Sequence, residues 1–275
     1  MTNPFSELFP EGIMQGYVIL MILLVVAGTV IDMIHKKSAK YFFENSKKQE
    51  KAAKRTVSGG EKASAAVSVL VNEVLTSAEF ANPQRRLSHL FTMYGFIIFV
   101  VSTAVLIFAY PTSSDAGIWG TLWHLGAASL ALGGYWFWFF IRVDVSSEGH
   151  QWYQLAKADL FIVSALMMVT WGLIWSLAGG GYAGVNMLFL ALFIISATTL
   201  FSTVMWSKFA HMFFKPAAAF QKRVTKLDGS QENLPDVGEM NDPAIQARYP
   251  DIPEYMGTNP PNMGLGIKSE SPRHY

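Results

Sequence analysis

Apolar residues gather into five long stretches, 13–34, 90–110, 118–141, 160–177 and 185–205 with its continuation, separated by polar segments. Crossing about 30 Å of hydrocarbon takes roughly 20 helical residues, and only helices satisfy their own backbone in lipid without closing a barrel. The pattern predicts an all-α polytopic membrane protein, a five-transmembrane-helix bundle. It divides the chain into a first transmembrane helix at 1–35, a cytoplasmic loop with an amphipathic helix at 36–86, a four-helix transmembrane core at 87–215, and an extended or disordered cytoplasmic tail at 216–275. The first stretch follows Glu7 and Glu11 and lacks the basic start and small-residue cleavage site of a secretory signal. It is expected to be retained, as a helix or as an uncleaved signal anchor.

The polar segments differ sharply in charge. Residues 1–12, 111–117 and 178–184 carry no Lys or Arg, whereas all 21 basic residues fall in the other three: eleven between His35 and Leu87, two between Arg142 and Asp159, and eight from Lys208 onward. Because Lys and Arg are retained on the cytoplasmic side of short loops, this alternation predicts the N-terminus outside and the C-terminus in the cytoplasm, with a multi-pass placement in the inner (cytoplasmic) membrane.

Within the large loop, a Ser58-Gly59-Gly60 break precedes EKASAAVSVLVNEVL at 61–75, where Ala65, Val69 and Val74 recur at helical spacing. This segment reads as a surface helix lying on the bundle or on lipid headgroups, or as a docking face for a soluble partner. The third apolar stretch holds Gly126, Ala127, Ala128, Ser129, Ala131, Gly133 and Gly134, small residues that permit close helix approach and suggest a central position. Trp119, Trp123, Trp136 and Trp138, and likewise Trp171 and Trp175, read as interfacial aromatics. After Pro216 the chain is polar and proline-rich, expected to be extended alone. Tyr249, Ile252, Tyr255, Met256 and Met263 interrupt it, as in a tail that orders along another subunit.

Composition narrows the chemistry. About half of the residues, 51%, are hydrophobic and 15% are charged, in keeping with a membrane class. With no cysteine, this chain carries no disulfide, thiolate zinc site or cysteine-ligated iron–sulfur cluster. No phosphate loop, nucleophile constellation or nucleic-acid-binding pattern stands out, and without an acidic residue at mid-membrane an ion-coupled carrier is disfavoured.

Histidines remain. His89 lies one turn inside the start of the second stretch, after Arg85 and Arg86, and His211 lies at the end of the fifth, three residues after Lys208. Alternate helices run in opposite directions, so both reach the same depth. Two such imidazoles could ligate one haem iron, with Arg85, Arg86, Lys208 or Lys215 near its propionates; each could equally be a plain boundary residue. His124 lies in the opposite half of the bilayer and reads as a hydrogen-bonding residue or part of a quinone pocket.

The segments ANPQRRLSHLFTMYGFIIFV and WSKFAHMFFKPAAA, with five spans and an outside N-terminus, resemble the membrane cytochrome b family of the respiratory nitrate reductase gamma subunit. They are closer to the membrane subunit of the quinone-interacting complex found beside adenylylsulfate reductase. Lacking a cysteine-rich domain, the chain is similar to the membrane anchor subunit of dissimilatory adenylylsulfate (APS) reductase. Two-haem members carry further histidines where this chain has Phe99 and Phe193, so the resemblance implies at most one b-type haem, on His89 and His211. It also implies a non-catalytic electron-transfer subunit linking a cytoplasmic iron–sulfur flavoenzyme, adenylylsulfate reductase, to membrane quinone. The second reading is a cofactor-free structural anchor for that enzyme.

Overall fold

The computed structural model describes residues 3–6, 10–78, 80, 82–143, 149–178, 184–207, 211–230 and 243–248. Among them every regular element is helical: α1 Glu11–Lys36, α2 Ser38–Ala52, α3 Gly59–Val69 running on into a π-turn Leu70–Leu75, α4 Pro83–Ala109, and α5 Ile118–Trp136 running on into a π-turn Phe137–Ile141. After them come α6 Leu160–Leu177, α7 Val185–Ser202, α8 His211–Leu227 and the short α9 Pro243–Arg248.

Among the described residues four helices are long and apolar enough to cross a membrane: Glu11–His35, Pro83–Ala109, Lys157–Leu177 and Val185–Ser202. The expected third span, 118–141, is helical but falls outside that group, since its glycines, tryptophans and His124 lower its apolar character. It nonetheless packs between α4 and α6. Gly95 of α4 and Gly126 of α5 set its distance from α4: a Cβ on Gly95 would lie 2.4 Å from the Leu130 nitrogen, and one on Gly126 2.6 Å from the Phe99 nitrogen. No L-residue with a side chain fits such an approach without moving backbone. The Ser88 hydroxyl donates to the Gly133 carbonyl at 2.8 Å, and Trp123 Nε1 donates to Thr103 Oγ1 at 3.0 Å, so α4 and α5 pair antiparallel along their length. On its other side α5 is tied to α6 by Tyr135–Thr170 and His124–Ser176 hydrogen bonds.

α1 is peripheral. Only 11% of its apolar window is buried, and Ile19, Leu20, Ile22, Leu23, Val26 and Val30 face outward. In water each large aliphatic left exposed forgoes about 1.5–3 kcal/mol; lipid removes that penalty. The helix is held to α7 by the Tyr17 hydroxyl against Thr198 at 2.9 Å, and Gly28 lets Val204 pack into it.

At one end of the bundle, the N-terminal end, Asn3 Nδ2 donates to the carbonyls of Tyr110 and Ser113 and Phe5 enters the core. Its ring centroid lies 5.7 Å from those of both Trp123 and Trp175. These two tryptophans were expected at the interface; both are wholly buried, 0% exposed. Proximity to a helix end places a residue in depth but not around the helix axis.

The opposite, basic end is capped by α2, α3 and α8. Ser58 is the N-cap of α3 and forms a reciprocal capping box with Glu61, so the Ser-Gly-Gly break becomes a helix start. Ala65 and Val69 face inward, as expected. The loop after α2 closes the end of α8: the Lys54 and Arg55 backbone N–H groups donate to the Asp228 carbonyl, and Arg55 Nε donates to the Leu227 carbonyl at 2.6 Å. Two expectations change here. The fifth span does not run on to His211; α7 ends at Ser202, a 3-10 turn Val204–Trp206 follows, and His211 opens a separate helix. That helix passes through Pro216 to Leu227, so the beginning of the segment expected to be extended is helical and packed. Tyr249, Ile252, Tyr255, Met256 and Met263 lie outside the described residues.

Candidate functional site at the basic end

α4 begins with an Asn82 cap, whose side-chain oxygen accepts from the Gln84 and Arg85 backbone N–H groups, and Pro83 supplies the preset φ of a first helical position. This firm start fixes the direction of His89. The preceding residues run back along the helix and fasten onto it. Arg86 Nε donates to the Thr76 carbonyl at 2.8 Å, and the Tyr94 hydroxyl donates to the Leu75 carbonyl at 2.7 Å. Ser77, fully buried with a positive φ of 47°, places its hydroxyl 3.0 Å from His89 Nδ1.

Phe80 completes the arrangement. Its ring packs on the His89 imidazole, with centroids 4.9 Å apart. The Arg85 guanidinium stands 5.7 Å and the Lys215 ammonium 5.2 Å from the same ring centre, within the range of cation–π attraction. Lys215 belongs to α8, so the first turns of α8 lie against the start of α4. His211 stands one turn before Lys215 on that helix. Its side chain lies outside the described residues, and so does Lys208.

The site thus brings together His89, Arg85 and Lys215 and commits Arg86 to holding the loop. Of the two imidazoles expected to ligate a haem iron, the described side chains include that of His89. An imidazole held at Nδ1 directs ligation to Nε2, as metal-binding histidines are held by second-shell partners, and two cations at short range suit a pair of carboxylates. Ser77 and Phe80 were missed in the sequence: they sit in an aperiodic turn, and neither residue type marks a site by itself.

His124 is at the other end. Its Nδ1 lies 2.6 Å from the Gly120 carbonyl, which accepts, and Nε2 lies 2.8 Å from the Ser176 hydroxyl. In the neutral ring Nδ1 therefore carries the proton and Ser176 donates to Nε2, so the residue links α5 to α6. Phe99 and Phe193, where the resemblance would require a second pair of ligands, do face one another, with ring centroids 6.5 Å apart. The space around them is filled: Trp123 lies 5.0 Å from Phe99, and Trp175 stacks on Phe193 at 6.2 Å.

Among the described residues no group of three or more His, Asp or Glu side chains could hold a metal ion. The chain has no significant match to any protein-family model, curated protein or solved structure.

Proposed function

We propose that the chain is the membrane anchor and electron-transfer subunit of a respiratory complex, holding a cytoplasmic iron–sulfur flavoenzyme, adenylylsulfate reductase, at the inner membrane and linking it to quinone. The observation that carries this reading is the buried Ser77 hydroxyl on His89 Nδ1, beside Arg85 and Lys215, where α8 meets the start of α4. In this reading five helices cross the bilayer, α5 included, and the basic end faces the cytoplasm. Bound haem b would supply one-electron chemistry between the docked enzyme and quinone. His89, its ring positioned by Ser77, and His211 would hold the iron, and Arg85 and Lys215 would pair with the propionates. His124 belongs to the quinone side, and the sulfur chemistry stays on the partner.

Phe80, packed directly on His89, favours a second reading in which the same surface is a cofactor-free structural anchor. Both readings make the residues after α8 a docking segment. Membranes containing the full chain should retain adenylylsulfate reductase through a high-salt wash, and a chain ending at Ser230, which keeps α8, should release most of it. Equal retention by membranes without the chain would contradict the anchoring role.

A further inference from the structure

The inner face of α3 is spent on α8: Ala65 and Val69 are buried, and Glu73 accepts from Arg223 Nε at 3.1 Å. Its other face is apolar as well. Val67, Leu70, Val71 and Leu75 recur at three- and four-residue spacing, and each is between 43% and 60% exposed. An unpartnered stripe of that kind on a short helix needs an occupant, and its position along α4 identifies one.

The last turn of this helix does not hang below the bundle. Its Leu75 carbonyl is held by the hydroxyl of Tyr94, a residue eleven positions beyond Pro83, which is roughly 16 Å along the axis of α4 at about 1.5 Å per residue. With 27 residues, α4 is about 40 Å long, roughly 10 Å more than a hydrocarbon core requires. The C-terminal part of α3 is therefore level with the inner boundary of the apolar band. There the stripe is continuous with Tyr94, Ile97, Ile98 and Val101, which face outward on α4.

Several carbonyls at this helix end find donors within the chain, as a helix end in lipid requires. The Val71 carbonyl accepts from the Thr76 backbone N–H, the Asn72 carbonyl from the Ala78 backbone N–H and Thr76 Oγ1, the Leu75 carbonyl from Tyr94 and the Thr76 carbonyl from Arg86. The opposite end is polar, with the Ser58–Glu61 capping box and an Arg55–Glu61 ion pair at 2.8 Å.

We infer that α3 and its π-turn form an oblique interfacial helix, whose Val67, Leu70, Val71 and Leu75 side chains enter the lipid beside α4 while its N-terminus stays in water. The inference rests on the membrane placement of α4 and not on haem or a redox partner.

The cysteine-free sequence allows nitroxide labels at single sites. In full-length protein carrying Val67→Cys, Val71→Cys or Lys62→Cys, reconstituted in phosphatidylcholine–phosphatidylglycerol vesicles, collision rates with oxygen and with a water-soluble nickel chelate report depth. The expected oxygen-to-nickel ratio is several-fold higher at Val67 and Val71 than at Lys62. Nickel access at Val71 equal to that at Lys62 would overturn the inference in favour of a solvated docking face. Protection of Val67 and Val71 from both reagents would overturn it in favour of contact with a second protein copy.

Discussion

Arg142 is wholly buried, 0% exposed, and a buried charge is costly unless it is paired and hydrogen-bonded. Its guanidinium meets Asp159 Oδ2 at 2.5 Å, donates to the Gln151 and Gln154 carbonyls and lies 4.2 Å from the centre of the Trp138 ring. One side chain thereby fixes the described part of the α5–α6 connection. Removing a single partner of a buried pair leaves the other charge stranded at a cost of about 3–5 kcal/mol. Arg142→Ala should therefore lower the thermal midpoint of the detergent-purified protein by several degrees. Arg142→Lys should recover only part of that loss, since an ammonium cannot reach both carbonyls and the carboxylate in one fork. An unchanged midpoint in Arg142→Ala would contradict this account of the loop. The sequence exposed Arg142 only as a positive charge that helps to orient the chain; its burial depends on the Trp138 contact and on a loop that turns back over it.

Among the elements, the start of α3 has its own pH dependence. Its capping carboxylate, Glu61, is held below the usual carboxylate range, first by the Ser58 backbone N–H it accepts from and then by Arg55. A depressed folded value means that this stabilisation is fully present above the ordinary glutamate range and is lost as pH falls through the lower folded value. Amide protection at Ser58, Glu61 and Lys62, whose N–H groups make the bonds of this helix start, should drop in that window after correction for intrinsic exchange, and Glu61→Gln should abolish the pH step. Protection that stays flat through the acid range would count against the capping arrangement. The helix itself was readable from its spacing at 61–75, and its buried face from Ala65 and Val69. The break between α7 and α8 was not. Apolar residues continue through Val204, Met205 and Trp206 toward Met212, and what ends α7 is tertiary: Val204, fully buried, packs against the Gly28 gap in α1. The expectation of one long fifth helix carried His211 with it; that residue instead opens a helix that crosses the basic end.

For the whole molecule, the charge asymmetry of the loops and the antiparallel packing of α4 on α5 describe the same two-ended object. The described residues of 37–82 and 142–159 and the start of α8 share one end, and Asn3, Phe5 and the 110–117 turn share the other. If the basic end faces the cytoplasm, protease added outside intact spheroplasts should leave a C-terminal tag uncut; cleavage of the tag would reverse the orientation. Position along each helix could be read from the sequence, and His89 and His124 lie toward opposite ends of the α4–α5 pair. Rotation about each axis could not. Nothing in a linear pattern puts Phe80 over His89, turns Trp123 and Trp175 inward, or meets Phe99 with Phe193.

The central claim is that His89, positioned by Ser77 and flanked by Arg85 and Lys215, holds a single b-type haem together with His211. It is tested most directly by the reduced-minus-oxidised absorption spectrum of the protein purified from a host that makes and inserts haem. The account predicts one low-spin b-type signal in the wild type that is abolished in His89→Ala and in His211→Ala and kept in His124→Ala. A wild-type protein with no such signal would contradict ligation and leave the cofactor-free anchor, and a signal that survives both His89→Ala and His211→Ala would mean that other residues hold the iron.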